Sequence, residues 1–105
     1  MAAVTWKPPK AIKDGGLTWT VLLVETIPGD DGKADRDTLG LTDAEKLCVY
    51  IKSGLPIERM RQTFIHELIH IVLTGMGHED QDERLVDGIA HAIHRLTKDN
   101  PGLLR

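Results

Sequence analysis

The stretch Thr63 to His78, TFIHELIHIVLTGMGH, constrains this chain more than any other part of it. Within it, His66-Glu67-Leu68-Ile69-His70 reads H-E-x-x-H, and an α-helix turns roughly 100° per residue, so positions four apart return to one face. The rise between the two histidines is then about 6 Å, which two imidazole nitrogens can close around a single Zn²⁺ by leaning together. Glu67 sits beside them, where a carboxylate can act as a base. Pro56 suits the first position of such a helix, where its missing N–H costs nothing, and the spacing predicts a helix over 56–74. With Ile57 placed at 0°, Met60, Phe64, Ile65, Leu68, Ile71 and Val72 span roughly 300° through 80°, while His66 and His70 fall near 180° and 220°. The helix should therefore be buried on most sides and turn its histidines into a cleft.

The remaining elements must pack that helix. Leu17 to Thr26 alternates apolar and Thr positions and then becomes continuously apolar, which predicts a strand over 17–26. Leu47-Cys48-Val49-Tyr50-Ile51 predicts another over 46–52, and the flanking Lys46 and Lys52 suit an edge strand, where charge discourages unwanted pairing. Just before it, Thr42-Asp43-Ala44-Glu45 has the form of a capping box and could open a short helical turn. Residues 1–16, with Pro8, Pro9, Gly15 and Gly16, read as an arm. Pro28 to Gly40 reads as a polar connection whose acids lack EF-hand spacing, because Gly32 directly follows Asp31. Gly75-Met76-Gly77 should break the histidine helix, and Leu85, Val86, Ile89, Ile93 and Leu96 place a second helix over 81–98. The fold class is α+β: a small sheet of two or three strands packed on the histidine helix and on a following helix that carries Glu83.

At 105 residues the chain suits one domain, and Cys48 is its only cysteine, so no internal disulfide can form. Thirteen Lys+Arg against sixteen Asp+Glu give a net charge of −3 and no basic stripe, which argues against nucleic acid as a partner. No segment approaches eighteen consecutive apolar residues, so no membrane partner is expected and a cytoplasmic location is.

Two histidines do not complete a catalytic zinc site, which usually has three protein ligands. Glu83 is the preferred third. If the glycine turn reverses the chain, a helix starting near Asp80 brings Glu83 level with His70. Asp87, four residues on, then shares its face and could accept the outer N–H of a ligating histidine. His78 is the rival third ligand. His78 and Tyr50, with Arg84, are also the candidates to stabilise a developing oxyanion or to contact substrate. His91 and His94 lie three apart but lack a third ligand, so a second metal site is not expected.

HELIH followed by a glycine turn and Glu83-Arg84-Leu85-Val86-Asp87 resembles the gluzincin arrangement of HExxH with a downstream E-x-x-x-D. The short length is most similar to the minigluzincins and to the small ImmA/IrrE-like metallopeptidase domains of phages and prophages, over about Leu41 to Gly102. The gap from His70 to Glu83 is shorter than in large gluzincins, and Leu73 and Met76 stand where metzincins carry glycine and histidine. The resemblance implies a compact zincin-like domain binding one Zn²⁺. It implies hydrolysis of peptide bonds in a peptide or protein substrate, with Glu67 taking a proton from a zinc-activated water and passing it to the leaving amine. Substrate would lie antiparallel to an edge strand, for which 46–52 is the segment at hand. It also allows a monomer or a latent homodimer, with the cleft covered by a partner or by the tail Lys98 to Arg105. Two other readings are a non-proteolytic zinc-binding regulatory module on the same scaffold, and a three-histidine zinc hydrolase acting on RNA through His78.

Overall fold

The β-branched stretches pair into one mixed sheet with the histidine helix across it. The computed structural model describes residues 6–28, 34–35 and 38–104. Its elements run β1 (Ala11–Asp14), β2 (Leu17–Val24), β3 (Ile27–Pro28), β4 (Ala34–Asp35), β5 (Gly40–Asp43), β6 (Cys48–Lys52), α1 (Ile57–Gly75) and α2 (Glu83–Asp99). The main sheet has four strands in the order β1-β2-β6-β5, and β3 pairs with β4 in a separate short ribbon. β1 and β2 form a hairpin closed by Gly15 (φ 57°) and Gly16 (φ 87°). A tight two-residue turn whose twist matches the strands needs positive φ at both positions, which glycine adopts without strain. β2 runs parallel to β6, with Val21 opposite Val49 and Leu23 opposite Ile51. β5 runs antiparallel to β6, with Leu41 opposite Tyr50 and Thr42 opposite Val49.

Three expectations change here. The strand expected at an edge, 46–52, is central: β6 has β2 on one side and β5 on the other, so the edges are β1 and β5. Its flanking lysines could not reveal this, because the parallel pairing with β2 joins residues far apart in sequence. The segment with capping-box form makes β5 and a turn rather than a helix. Asp43 Oδ1 accepts from the N–H groups of Glu45 (3.1 Å) and Lys46 (3.2 Å), and Leu47 takes a φ of 53°. Aspartate commonly organises a turn this way, and the same donors would suit a helix start. Finally, the stretch read as an arm contains β1, which makes the sheet four strands wide.

The core lies between sheet and α1. Trp19 and Val21 of β2, and Val49 and Ile51 of β6, alternate onto one sheet face and meet Met60, Phe64 and Ile71 of α1. Trp6 extends this cluster, its ring centroid 5.6 Å from that of Phe64. The buried stripe of α1 is Met60, Thr63, Phe64, Glu67 and Ile71, so it is rotated toward the histidines relative to the apolar arc; Val72 is left 54% exposed. The cause is β5, whose small Gly40 faces Thr63 and Glu67 so closely that an added Cβ would lie 2.9 Å from each side chain. The helix rolls its smaller and polar residues under that strand.

α1 ends as the glycines demand. Gly77 has φ 87°, its N–H donates to Thr74 O (3.0 Å), and the His78 N–H donates to Leu73 O (2.9 Å). This pair of bonds is the Schellman closure, and it reverses the chain. Asp82 then caps α2, accepting from the N–H groups of Arg84 (2.9 Å) and Leu85 (3.4 Å). Val86 and Ala90 are buried in α2, which packs along α1 and brings its first turn beside the histidines. Among the described residues no helix is long and apolar enough to cross a membrane.

Candidate metal centre

One turn of α1 sets the His66 and His70 rings side by side, with centroids 5.0 Å apart and planes at 60°. The capped start of α2 presents Glu83 to both. Its Oε2 lies 3.1 Å from His66 Nε2 and its Oε1 lies 3.0 Å from His70 Nε2. Among the described residues, His66, His70 and Glu83 form a group whose ligand atoms all lie within 4.8 Å of one another. The outer ring nitrogens are also engaged. His66 Nδ1 stands 3.3 Å from Asp87 Oδ1, and His70 Nδ1 contacts Gln81 Oε1. Gln81 is itself anchored, donating from Nε2 to His78 O (2.8 Å) and to Thr74 Oγ1 (3.1 Å).

This donor set fits one divalent cation. Two neutral imidazoles and a carboxylate are borderline-soft ligands of the kind zinc takes. A ligating histidine needs its second nitrogen held by an acceptor, so that the first carries a lone pair in a fixed direction. Asp87 Oδ1 and Gln81 Oε1 stand at those second nitrogens, and both Nε2 atoms face the Glu83 carboxylate.

Glu67 occupies a different environment from its neighbours. It is 4% exposed, turned under β5, where the Thr42 hydroxyl donates to its Oε1 (2.9 Å). Burial pushes its carboxyl above the ordinary value of 4.5; the Thr42 hydrogen bond and the two histidines pull the other way, and Glu83 adds to the rise. Its Oε2 is 4.0 Å from His66 Nε2, so this carboxylate borders the cluster without joining it.

Two adjoining cavities, of about 500 Å³ and 280 Å³, run past this point. Both are lined by Gly40, His66, Glu67 and Glu83, so they form one groove between β5 and the helices. β5 has no strand partner on its outer edge among the described residues.

The other candidates lie elsewhere. The His78 side chain is exposed and outside the cluster. Tyr50 is on the central β6 between Val49 and Ile51, which face α1, so strand alternation directs it to the opposite sheet face. It does not line the groove. Arg84 is exposed and also absent from the lining. His91 Nε2 stands 3.4 Å from Asp87 Oδ2, and His94 Nε2 2.8 Å from Glu58 Oε2. The His94 bond, with help from Lys98, holds the Glu58 carboxyl below its ordinary value and ties α1's first turn to the C-terminal part of α2. The tail 100–104 borders Arg61 rather than the groove.

Three residues at the site carried no motif that pointed to chemistry. Gln81 and Thr42 act through side-chain hydrogen bonds to His70 and Glu67, and Gly40 acts through the absence of a side chain. A glycine opening a short strand beside a threonine was the only available signal, and it becomes informative once that strand lies against the motif helix.

No family model, curated protein or solved structure matches the chain. The fold is a small α+β domain of zincin-like architecture, with His66 and His70 on one helix and Glu83 on the next forming a cluster able to hold a metal ion.

Proposed function

We propose that this chain is a zinc-dependent metallopeptidase that hydrolyses peptide bonds, with His66, His70 and Glu83 as ligands and Glu67 as the base. The observation that carries the reading is the convergence of His66 Nε2 and His70 Nε2 on the Glu83 carboxylate, with a buried carboxylate beside them on an open groove. When bound there, zinc supplies a Lewis acid that polarises a carbonyl and makes water more acidic. The chain's own residues account for the rest. Asp87 and Gln81 orient the two rings, and Thr42 fixes Glu67 so that its second oxygen stays toward the groove. Glu67 is placed to draw a proton from water and to return it to the departing amine, the ordinary work of a positioned carboxylate.

Peptide is the favoured substrate because β5 offers a seat for one. Lys52 N–H donates to Leu39 O (2.8 Å), so in this antiparallel ladder Leu39, Leu41 and Asp43 direct their main-chain groups to β6. Gly40 and Thr42 therefore turn their N–H and C=O groups outward, beside Glu67. An extended peptide can add there as a further strand, with main-chain bonds supplying affinity. This replaces 46–52, which as a central strand has no free edge. The exposed position of His78, outside the cluster, speaks against the three-histidine reading. The test is cleavage of a mixed peptide library by zinc-loaded chain and by Glu67→Gln. Cleavage by the first, with retained zinc and no cleavage in the second, supports the reading. A zinc-loaded chain that cleaves nothing and still binds peptide would replace it with the non-proteolytic module.

A further inference from the structure

We infer that the groove is charge-polarised and selects peptides carrying basic side chains before the bond at Glu67 and acidic side chains after it. The inference rests on β5 as a peptide seat and adds the substrate class. The groove's two halves share Glu67 and Glu83, so those carboxylates do not distinguish one half from the other. What differs is the remaining charge. The half bounded by Ala44, Thr74 and Gln81 contains Glu79 and neither lysine nor arginine. The half bounded by Leu39, Gln62 and Thr63 contains Arg59, with Asp87 and His91 engaged with one another. Among the described residues, the Glu79 carboxylate and the Arg59 guanidinium have no ion-pair or side-chain hydrogen-bond partner. Every other charged group along the groove is committed to the cluster, to Thr42 or to a neighbouring ring.

Chain direction converts this asymmetry into sequence preference. The chain runs through β5 from its Leu39 end, in the Arg59 half, toward Ala44 in the Glu79 half. A peptide adding antiparallel to it runs the other way, so its N-terminal residues pass Glu79 and its C-terminal residues pass Arg59. A lysine or arginine side chain then meets an uncompensated carboxylate, and an aspartate or glutamate meets an uncompensated guanidinium. The reversed peptide meets like charge at both ends.

The test compares two acetylated, amidated decapeptides of one composition. One has lysines in its N-terminal half and glutamates in its C-terminal half; the other has the halves exchanged. Affinity is measured by fluorescence anisotropy on the metal-free chain, which cannot consume them. The lysine-first peptide should bind roughly tenfold tighter, as expected for two exposed charge pairs replaced by two repulsions. That ratio should shrink as salt is raised, fall in Glu79→Gln and in Arg59→Gln, and invert in Glu79→Lys/Arg59→Glu. Equal affinities, the opposite preference, no binding of either peptide, or a preference untouched by these substitutions would overturn the inference. Preferential binding with no cleavage after zinc loading would leave it standing and reject the hydrolytic reading. Cleavage without charge preference would reject the inference alone.

Discussion

Gly40→Ala probes the contact on which the position of the Glu67 carboxylate depends. The Cβ it adds would lie 2.9 Å from Glu67 Oε2, 2.9 Å from Thr63 Cγ2 and 3.1 Å from Glu67 Cγ, where about 3.5–4.0 Å is comfortable between carbons. Neither neighbour gives way easily. Glu67 is 4% exposed and bonded to Thr42, while Thr63 is 8% exposed and donates to Arg59 O at 2.8 Å. Overpacking of this kind costs about 1–3 kcal/mol. The Gly40 φ lies outside the left-handed region, so alanine adds no backbone strain and restricts the unfolded chain, offsetting about 0.4–1 kcal/mol. The net loss should be about 1–2 kcal/mol, read by urea denaturation of metal-free protein, or as a Tm lower by about 5–12 °C. Thr63→Ser, which removes the contacting Cγ2 methyl group, should recover part of the loss when combined with it. A Gly40→Ala protein as stable as the parent would refute the close approach of β5 to Glu67.

Other outcomes follow from the same geometry. Glu67 is raised by burial, so in metal-free protein its contribution to stability is fully present below its unfolded-state pKa and is lost as pH rises through the higher folded value. Denaturation curves of the parent should therefore weaken, relative to Glu67→Gln, as pH climbs from about 4 toward neutrality; parallel pH profiles would contradict the burial argument. Thr42→Val should cost about 1–2 kcal/mol by leaving a buried carboxylate oxygen without its donor, and Thr42→Ser should restore most of it, both read by chemical denaturation. Asp87→Ala should weaken zinc binding about tenfold in a chelator competition, because His66 loses the acceptor at its Nδ1. Unchanged affinity there would remove Asp87 from the site.

The motif helix was legible because helical period and ligand chemistry coincide: four residues separate two nitrogens that must share a face. Glu83 could be anticipated from the glycine turn, since Gly77 permits the left-handed closure that folds α2 back. The strands were harder. β5 occupies Gly40–Asp43, too short for alternation to show, and its Asp43 satisfies the same local donors in a turn as it would at a helix start. Whether β6 is central or at an edge depends on a parallel pairing with β2 that no local pattern encodes. β1 did leave a trace in the Gly15-Gly16 pair, a hairpin signal overshadowed by the prolines before it. The roll of α1 followed from the missing side chain at Gly40, an effect outside any helical wheel. Sequence thus exposes chemistry carried by side chains of one element and conceals what depends on which backbones meet.

The central claim is that three residues from two helices hold one zinc ion, and its most direct test is zinc content after dialysis at neutral pH with zinc supplied. Parent protein and His78→Ala should each retain one zinc per chain, while His66→Ala and Glu83→Ala should lose it, all four remaining folded by circular dichroism. A parent chain without zinc, or a His78→Ala protein that loses it while Glu83→Ala keeps it, would contradict the account.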